Sequence, residues 1–394
     1  MYRHIAWACF AIVSLAPIGS AKDAATENLE TRGLMHSIFT PLSQLIPASM
    51  DYRKFSDPKN RDSIRKQIDA LVANADSLEK HAKSRSPGFR FLSHSLARDI
   101  HEVKTWFDLG RYDESRFVIH NLTEYCISCH SQQTGSRNFP DAEKFFAAVE
   151  IQKLPLVERA QLQVATRQFD LALATYEEFF ASDDLTPAQM ALMQAFNDYL
   201  KVSIRVRGDL KRPIPILEKW SARPGVPLYM KTHIAEWISA LKVVEKKKLL
   251  AKPTLAAAKD LLNRGKSDIA SARGREKLIY FISASSILGQ LVSDPKTKSD
   301  QFAEIYYLLG VCESVIGRSF WISQSEFYLE SAIRSAPNST IAKQAYNELE
   351  EQIFFEFSGS QTGTDIPPDV NDQLSKLKNL AEYGDEAGPK KVKQ

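Results

Sequence analysis

The amino-acid sequence predicts an all-α protein in which a four-helix bundle is followed by a longer array of paired helices. Three observations predict it. Apolar residues recur every three or four positions in segment after segment, the spacing of one helix face. No stretch sustains an apolar–polar alternation between hairpin turns, so strands are not expected. Pro, Gly and Asp fall between the periodic segments, where helices start and stop.

The first element is a targeting segment, residues 1–21. Arg3 and His4 give a short basic start, an apolar run extends from Ile5 to Pro17, and Gly19-Ser20-Ala21 supplies a small-residue cleavage site. The apolar run is shorter than the about 20 residues a spanning helix needs. The expectation is export to the periplasm with no membrane span in the mature chain; a retained anchor is the alternative. Cys9 leaves with this segment.

Four amphipathic segments follow between residues 24 and 140. Leu34, Ile38, Leu42 and Leu45 form the first stripe. Ile64, Ile68, Leu71, Ala75 and Leu78 form the second, and Leu92, Leu96, Ile100, Val103 and Phe107 the third. Val118, Leu122, Tyr125 and Cys129 form the fourth. Asp57-Pro58 is an N-cap with a first-turn proline, Pro87-Gly88 separates the second and third segments, and Gly110 ends the third. Four helices on short linkers, each with one apolar stripe, bury those stripes best as an antiparallel bundle.

The polar turn Arg137-Asn138-Phe139-Pro140-Asp141 marks the expected domain boundary, which predicts that residues 22–141 fold alone. From 141 to 357 the chain reads as further paired helices. Arg167-Gln168-Phe169-Asp170-Leu171-Ala172, continuing to Tyr176 and Phe179, resembles the second half of a tetratricopeptide repeat. A second resemblance runs from Leu309-Gly310 through Tyr328 and Ala332 to Pro337-Asn338, with an insertion around Gly317 to Ser323. A generic helical domain is the alternative. Residues 358–394, rich in Gly, Ser, Asp and Pro, are expected to be a flexible tail in which only Val370 to Tyr383 has helical character.

The chain has 394 residues, enough for two or three domains, and its 44% hydrophobic and 25% charged content suits a soluble globular protein. A formal net charge of +3 gives no case for a nucleic-acid partner. The lysine runs at Lys246-Lys247-Lys248 and Lys390-Lys391 read as solvated surface. No Ser-His-Asp order, Gly-rich phosphate loop or paired-carboxylate motif stands out, so the chain is not read as an enzyme.

After the signal, three cysteines remain: Cys126, Cys129 and Cys312. An odd count in an exported protein needs a reason. Cys126-Ile127-Ser128-Cys129-His130 supplies it, since this pattern attaches a c-type haem. At about 100° per residue, Cys126, Cys129 and His130 fall within an arc of roughly 100° on a helix. Two thiols can then add to the two vinyl groups of one haem while the imidazole reaches the iron. A redox-active cysteine pair would sit at a helix N-terminus after a strand, and a structural zinc would need two further ligands. Cys312 lies in an apolar helical stretch and reads as a buried thiol.

A helical domain with this motif near the end of its fourth helix resembles the class II c-type cytochromes, the cytochrome c′ group, from about Ala24 to Asn138. Arg32-Gly33-Leu34-Met35, Phe107-Asp108-Leu109-Gly110-Arg111-Tyr112 and the motif itself carry the resemblance. It implies a four-helix bundle holding one covalent haem c, with Met35 covering the distal face and Arg32 one turn earlier. Met35 is then the candidate sixth ligand opposite His130, or a side chain that only packs on the ring. The family commonly has a basic residue within a few positions after its motif; here six residues separate His130 from Arg137. His36, His94, His101 and His120 read as surface or hydrogen-bonded residues.

The expected function is one-electron transfer between redox partner proteins, with the second domain docking a protein partner. The alternatives are a five-coordinate haem that binds nitric oxide or carbon monoxide, and an assembly scaffold with a haem appendage.

Overall fold

The structure is a computed structural model that describes residues 21–83, 87–130, 142–182, 192–266, 277–294, 296–316, 324–357 and 366–388. Residues 1–20 of the expected export segment with Cys9, the expected boundary at 137–141 with Arg137, and the expected insertion at 317–323 lie outside the described residues. All regular structure among the described residues is helical, as the apolar spacing predicts.

The first unit is built from α1 (Ala21–Met50), the short α2 (Tyr52–Ser56), α3 (Arg61–Ala82), α4 (Pro87–Asp108) and α5 (Tyr112–His130). The expected stripes of α3 and α4 are all buried, from Ile64 to Leu78 and from Leu92 to Phe107. Ile38, Leu42 and Leu45 of α1 and Val118, Leu122 and Tyr125 of α5 are buried with them, while Leu34 is half-buried. The helix α1 packs on α3, α3 on α4, α4 on α5, and α5 returns to α1, closing a ring around one core.

Local chemistry sets the ends and joints of these helices. Asp51 caps α2, its carboxylate accepting from the Arg53 and Lys54 amides at 2.9 and 3.2 Å. Gly110 takes φ +75°, and the Arg111 amide reaches back to the Trp106 carbonyl at 2.9 Å, which stops α4. Pro41 sits inside α1 and cannot donate to the carbonyl four residues back, on Ser37. The Asn74 side-chain amide of α3 donates to that carbonyl at 2.8 Å instead. A proline inside the helix is thereby turned into a link between α1 and α3.

The first unit does not end at the expected boundary of 140. The helix α6 (Ala142–Ala148) returns to the bundle: Phe145 meets Phe39 of α1 edge to face at 5.0 Å, and Val149, Ile151 and Leu162 join the same core. Leu162 belongs to α7 (Leu156–Ala165), whose Ala160 and Val164 belong to a second core. So α7 is a seam, with one face in each core.

The second core spans α8 (Phe169–Ala181), α9 (Leu192–Lys201), α10 (Pro213–Ser221), α11 (Leu228–Lys246) and α12 (Leu255–Lys266), then α13 (Leu278–Ser293), α14 (Phe302–Ile316), α15 (Gln324–Ser335), α16 (Thr340–Phe357) and α17 (Pro368–Tyr383). From α12 onward each helix packs on the next. At the α14–α15 contact a Cβ on Gly310 would come within 2.6 Å of the Leu329 side chain, so glycine is required for this close approach. Within the expected flexible tail, the stretch Val370 to Tyr383 does form a helix, α17, but that part is docked rather than flexible: it buries Leu374, Leu377, Leu380 and Ala381. The stripe at three-residue spacing docks the helix, and the Asn338 amide after α15 donates to the Leu380 carbonyl at 3.1 Å. No helix among the described residues is long and apolar enough to cross a membrane.

Candidate functional site

The helix α5 is held by contacts that precede the motif. One residue before it, Tyr125 is buried and its hydroxyl donates to Asp99 Oδ2 of α4. The other Asp99 oxygen accepts from Nε and Nη2 of Arg98, each at 3.0 Å. Burial, then the bond to Asp99, pushes the Tyr125 hydroxyl well above the ordinary phenol range, so it remains the donor. Nearer the start of α5, Arg116 Nε donates to the Ser49 carbonyl at 2.6 Å, in the last turn of α1. Carbonyls at a helix C-terminus lack helical partners and attract a cation.

Cys126, Cys129 and His130 occupy the last five residues of α5, so the helix itself brings them to one side. Cys126 is part-buried, its Sγ 3.8 Å from the Leu122 carbonyl oxygen. The side chain of Cys129 lies outside the described part of the structure.

The part-buried imidazole of His130 has Nδ1 2.9 Å from the backbone carbonyl oxygen of Ala165, the last residue of α7. A carbonyl oxygen only accepts, so Nδ1 carries the proton and the neutral ring keeps its lone pair on Nε2. Burial, and then the nearby Arg167, pushes this imidazole down to about 4, while the Ala165 carbonyl opposes the shift. At neutral pH the ring is therefore uncharged, oriented by one nitrogen and free to ligate through the other. Metal-binding histidines take this form.

Past Ala165 the chain leaves α7 through a tight turn. Arg167 has φ +63°, in the left-handed region that few non-glycine residues occupy, and its amide reaches the Val164 carbonyl at 2.9 Å. Its Nε is buried without a hydrogen-bond partner. Burial, then the neighbouring Arg32, pushes the Arg167 guanidinium below its ordinary range. Arg167, from the turn after α7, thus lies close enough to influence both His130 of α5 and Arg32 of α1.

The other expected residues fall as follows. Arg32 is exposed; Met35, one turn later on α1, is half-buried and packs against the first core. His36 and His120 are on exposed positions. His94 pairs with Glu79 at 2.7 Å and His101 with Asp76 at 2.9 Å, both at the surface. Among the described residues, no three His, Cys, Asp or Glu side chains converge on a point that could hold a bare metal ion.

Three residues near the site escaped the sequence reading. His81 is largely buried at the end of α3, with Nε2 2.8 Å from Thr31 Oγ1, one residue before Arg32. Ala165 acts through its backbone, which has no side-chain signature. Arg167 carried only the signal of a turn before a helix. Compared with family models, curated proteins and solved structures, the chain matches none of them.

Proposed function

We propose that this protein is an exported monohaem c-type cytochrome that passes single electrons between redox partner proteins. The observation that carries this reading is the state of His130. Its ring is neutral at physiological pH and protonated on Nδ1, and it ends a helix that carries two cysteines at the spacing of haem attachment. Cys126 and Cys129 would hold the haem covalently and His130 would ligate the iron. Bound there, the haem supplies one-electron redox chemistry, and the protein supplies ligands, burial and docking surface.

The rival uses of the cysteine pair are less well supported. A thioredoxin-like pair gains its reactivity from a helix N-terminus, and this pair sits at a C-terminus. The closed ring of α1, α3, α4 and α5 supports the likeness to class II c-type cytochromes. In that likeness Met35, half-buried on α1, covers the distal face as sixth ligand, with Arg32 beside it. A thioether opposite histidine raises the potential and suits outer-sphere transfer. The helical array from α8 to α17 is read as the tetratricopeptide-like domain that docks a protein partner. Tethering of this kind raises the effective concentration of a weakly held partner.

The test uses the full chain made with a haem-attachment system. Denaturing gel electrophoresis with haem staining should give a stained band, and the ferrous spectrum should be low-spin and unchanged by carbon monoxide. Extraction of the haem into acidified organic solvent would overturn covalent attachment. A wild-type protein that takes up carbon monoxide readily would make Met35 a packing residue and the chain a gas binder.

A further inference from the structure

We propose that the haem site spans both domains, with Arg167 of the second domain holding the carboxylate edge of the cofactor. This rests on the haem reading above.

The first support is the partner of the ligand. The carbonyl that orients His130 belongs to α7, the helix that has one face in each hydrophobic core. The helix that joins the two cores is therefore in contact with the imidazole that would bind iron. The second support is Arg167 itself. Two residues past Ala165, a left-handed backbone turns it off the end of α7, and its Nε is buried with nothing to donate to. A buried guanidinium N–H is costly unless an acceptor reaches it.

The third support is the local charge. The group that Arg167 feels most, after burial, is Arg32, another cation. The next two carboxylates along the chain are engaged elsewhere: Asp170 with Arg207 at 2.7 Å, and Glu177 with Arg212 at 2.6 Å. Two neighbouring guanidinium groups, the Nε of one buried without an acceptor, make a place for an anion. A haem attached through its vinyl groups still carries two carboxylates, and arginine suits a carboxylate because its planar fork can give two parallel hydrogen bonds. Arg167 is a positioning residue here. Its charge also favours the reduced iron, which carries one positive charge fewer.

The experiment measures haem staining and the midpoint potential of the full haem-loaded chain for Arg167→Gln, Arg167→Lys and Arg159→Gln. Arg159 is the packing control: it lies on α7, its Nε is also buried without a partner, and its Nη2 is tied to the Gln152 carbonyl at 2.8 Å. All three should stain. Arg167→Gln should lower the midpoint, Arg167→Lys should keep most of the wild-type value, and Arg159→Gln should leave it unchanged. A midpoint that is unmoved in Arg167→Gln, or that falls equally in Arg159→Gln, overturns the proposal. If Arg167→Gln fails to accumulate, Arg32→Gln at the exposed position decides, by a lowered midpoint in favour or an unchanged one against. Absence of stain in the wild type would instead remove the haem reading itself.

Discussion

Two arginines, one inside the second core and one at the seam between the cores, are treated in opposite ways. Arg205 lies in a π-helical turn over Val202–Val206, inside the second core. Its Nη2 meets Glu313 of α14 at 2.5 Å and its Nε meets Ser285 of α13 at 2.9 Å. Arg167, at the seam, has a buried Nε with no acceptor and a second arginine for a neighbour. The first cation is satisfied by the chain that folds around it, so its role is complete in the folded protein. The second is left short of an anion, as a binding site is before its ligand arrives. The contrast separates a group that the fold uses from a group that the fold holds ready.

The sharpest way to break this contrast is to unmake the satisfied pair. Both Arg205 and Glu313 are more than nine-tenths buried. Removing one partner of such a pair leaves an uncompensated buried charge, which costs about 3–5 kcal/mol. Glu313→Gln should lower the urea midpoint by that amount of stability and leave the potential of the haem-loaded protein unmoved. A loss below about 1 kcal/mol, the range of an exposed pair, would mean that water reaches Arg205 and that the comparison fails.

A smaller effect is expected at the Tyr125–Asp99 contact beside the motif. Tyr125→Phe keeps the ring and deletes the donor, leaving one buried carboxylate oxygen of Asp99 without this bond. The expected cost is about 1–3 kcal/mol in chemical denaturation. Unchanged stability in Tyr125→Phe would show that Arg98 alone satisfies Asp99. Smaller again, Asn74→Ala removes the donor that serves the carbonyl freed by Pro41, for an expected loss of about 1 kcal/mol. The double change that also replaces Pro41 by Ala should recover part of it, because the carbonyl then regains its helical partner.

How far the sequence foretold these features depends on the physics behind each. The stripes of α3 and α4 are legible because each helix has one buried face, and the apolar residues therefore mark the helical period. The same reasoning loses force in α13, where nearly every residue from Leu278 to Leu288 is buried and no polar face remains to set the phase. The boundary at 140 was read from a polar turn. A polar turn shows only that the backbone meets solvent, and Phe145, Val149 and Ile151 then bring the chain back to the bundle. At the site, Cys126, Cys129 and His130 are legible because spacing on one helix fixes their relation before any tertiary contact forms. Ala165 and Arg167 are 35 and 37 residues further on, and only tertiary packing brings them to His130. The buried Cys312 followed from its apolar neighbours, and its burial pushes the thiol well above the ordinary range, which makes it a poor nucleophile.

The smallest expected effect is the one that most sharpens the comparison, and it concerns the haem-free chain. Arg167→Gln removes a guanidinium that has no acceptor for its Nε and that is repelled by Arg32. Among the described residues none loses an ion partner, so the large penalty expected for Glu313→Gln has no counterpart here. The exposed position of Arg32 means that solvent screens much of the repulsion, which keeps the gain small. The stability of the haem-free variant should therefore lie within about 0.5 kcal/mol of wild type, the usual range for a substitution that breaks no buried interaction, with the sign toward stabilisation. Urea denaturation of the two haem-free proteins at low and at high salt measures it, and any gain should shrink as salt rises. A clear destabilisation would show that Arg167 already has an anion within the chain. The two arginines would then differ in degree only, and the seam would be one more buried contact.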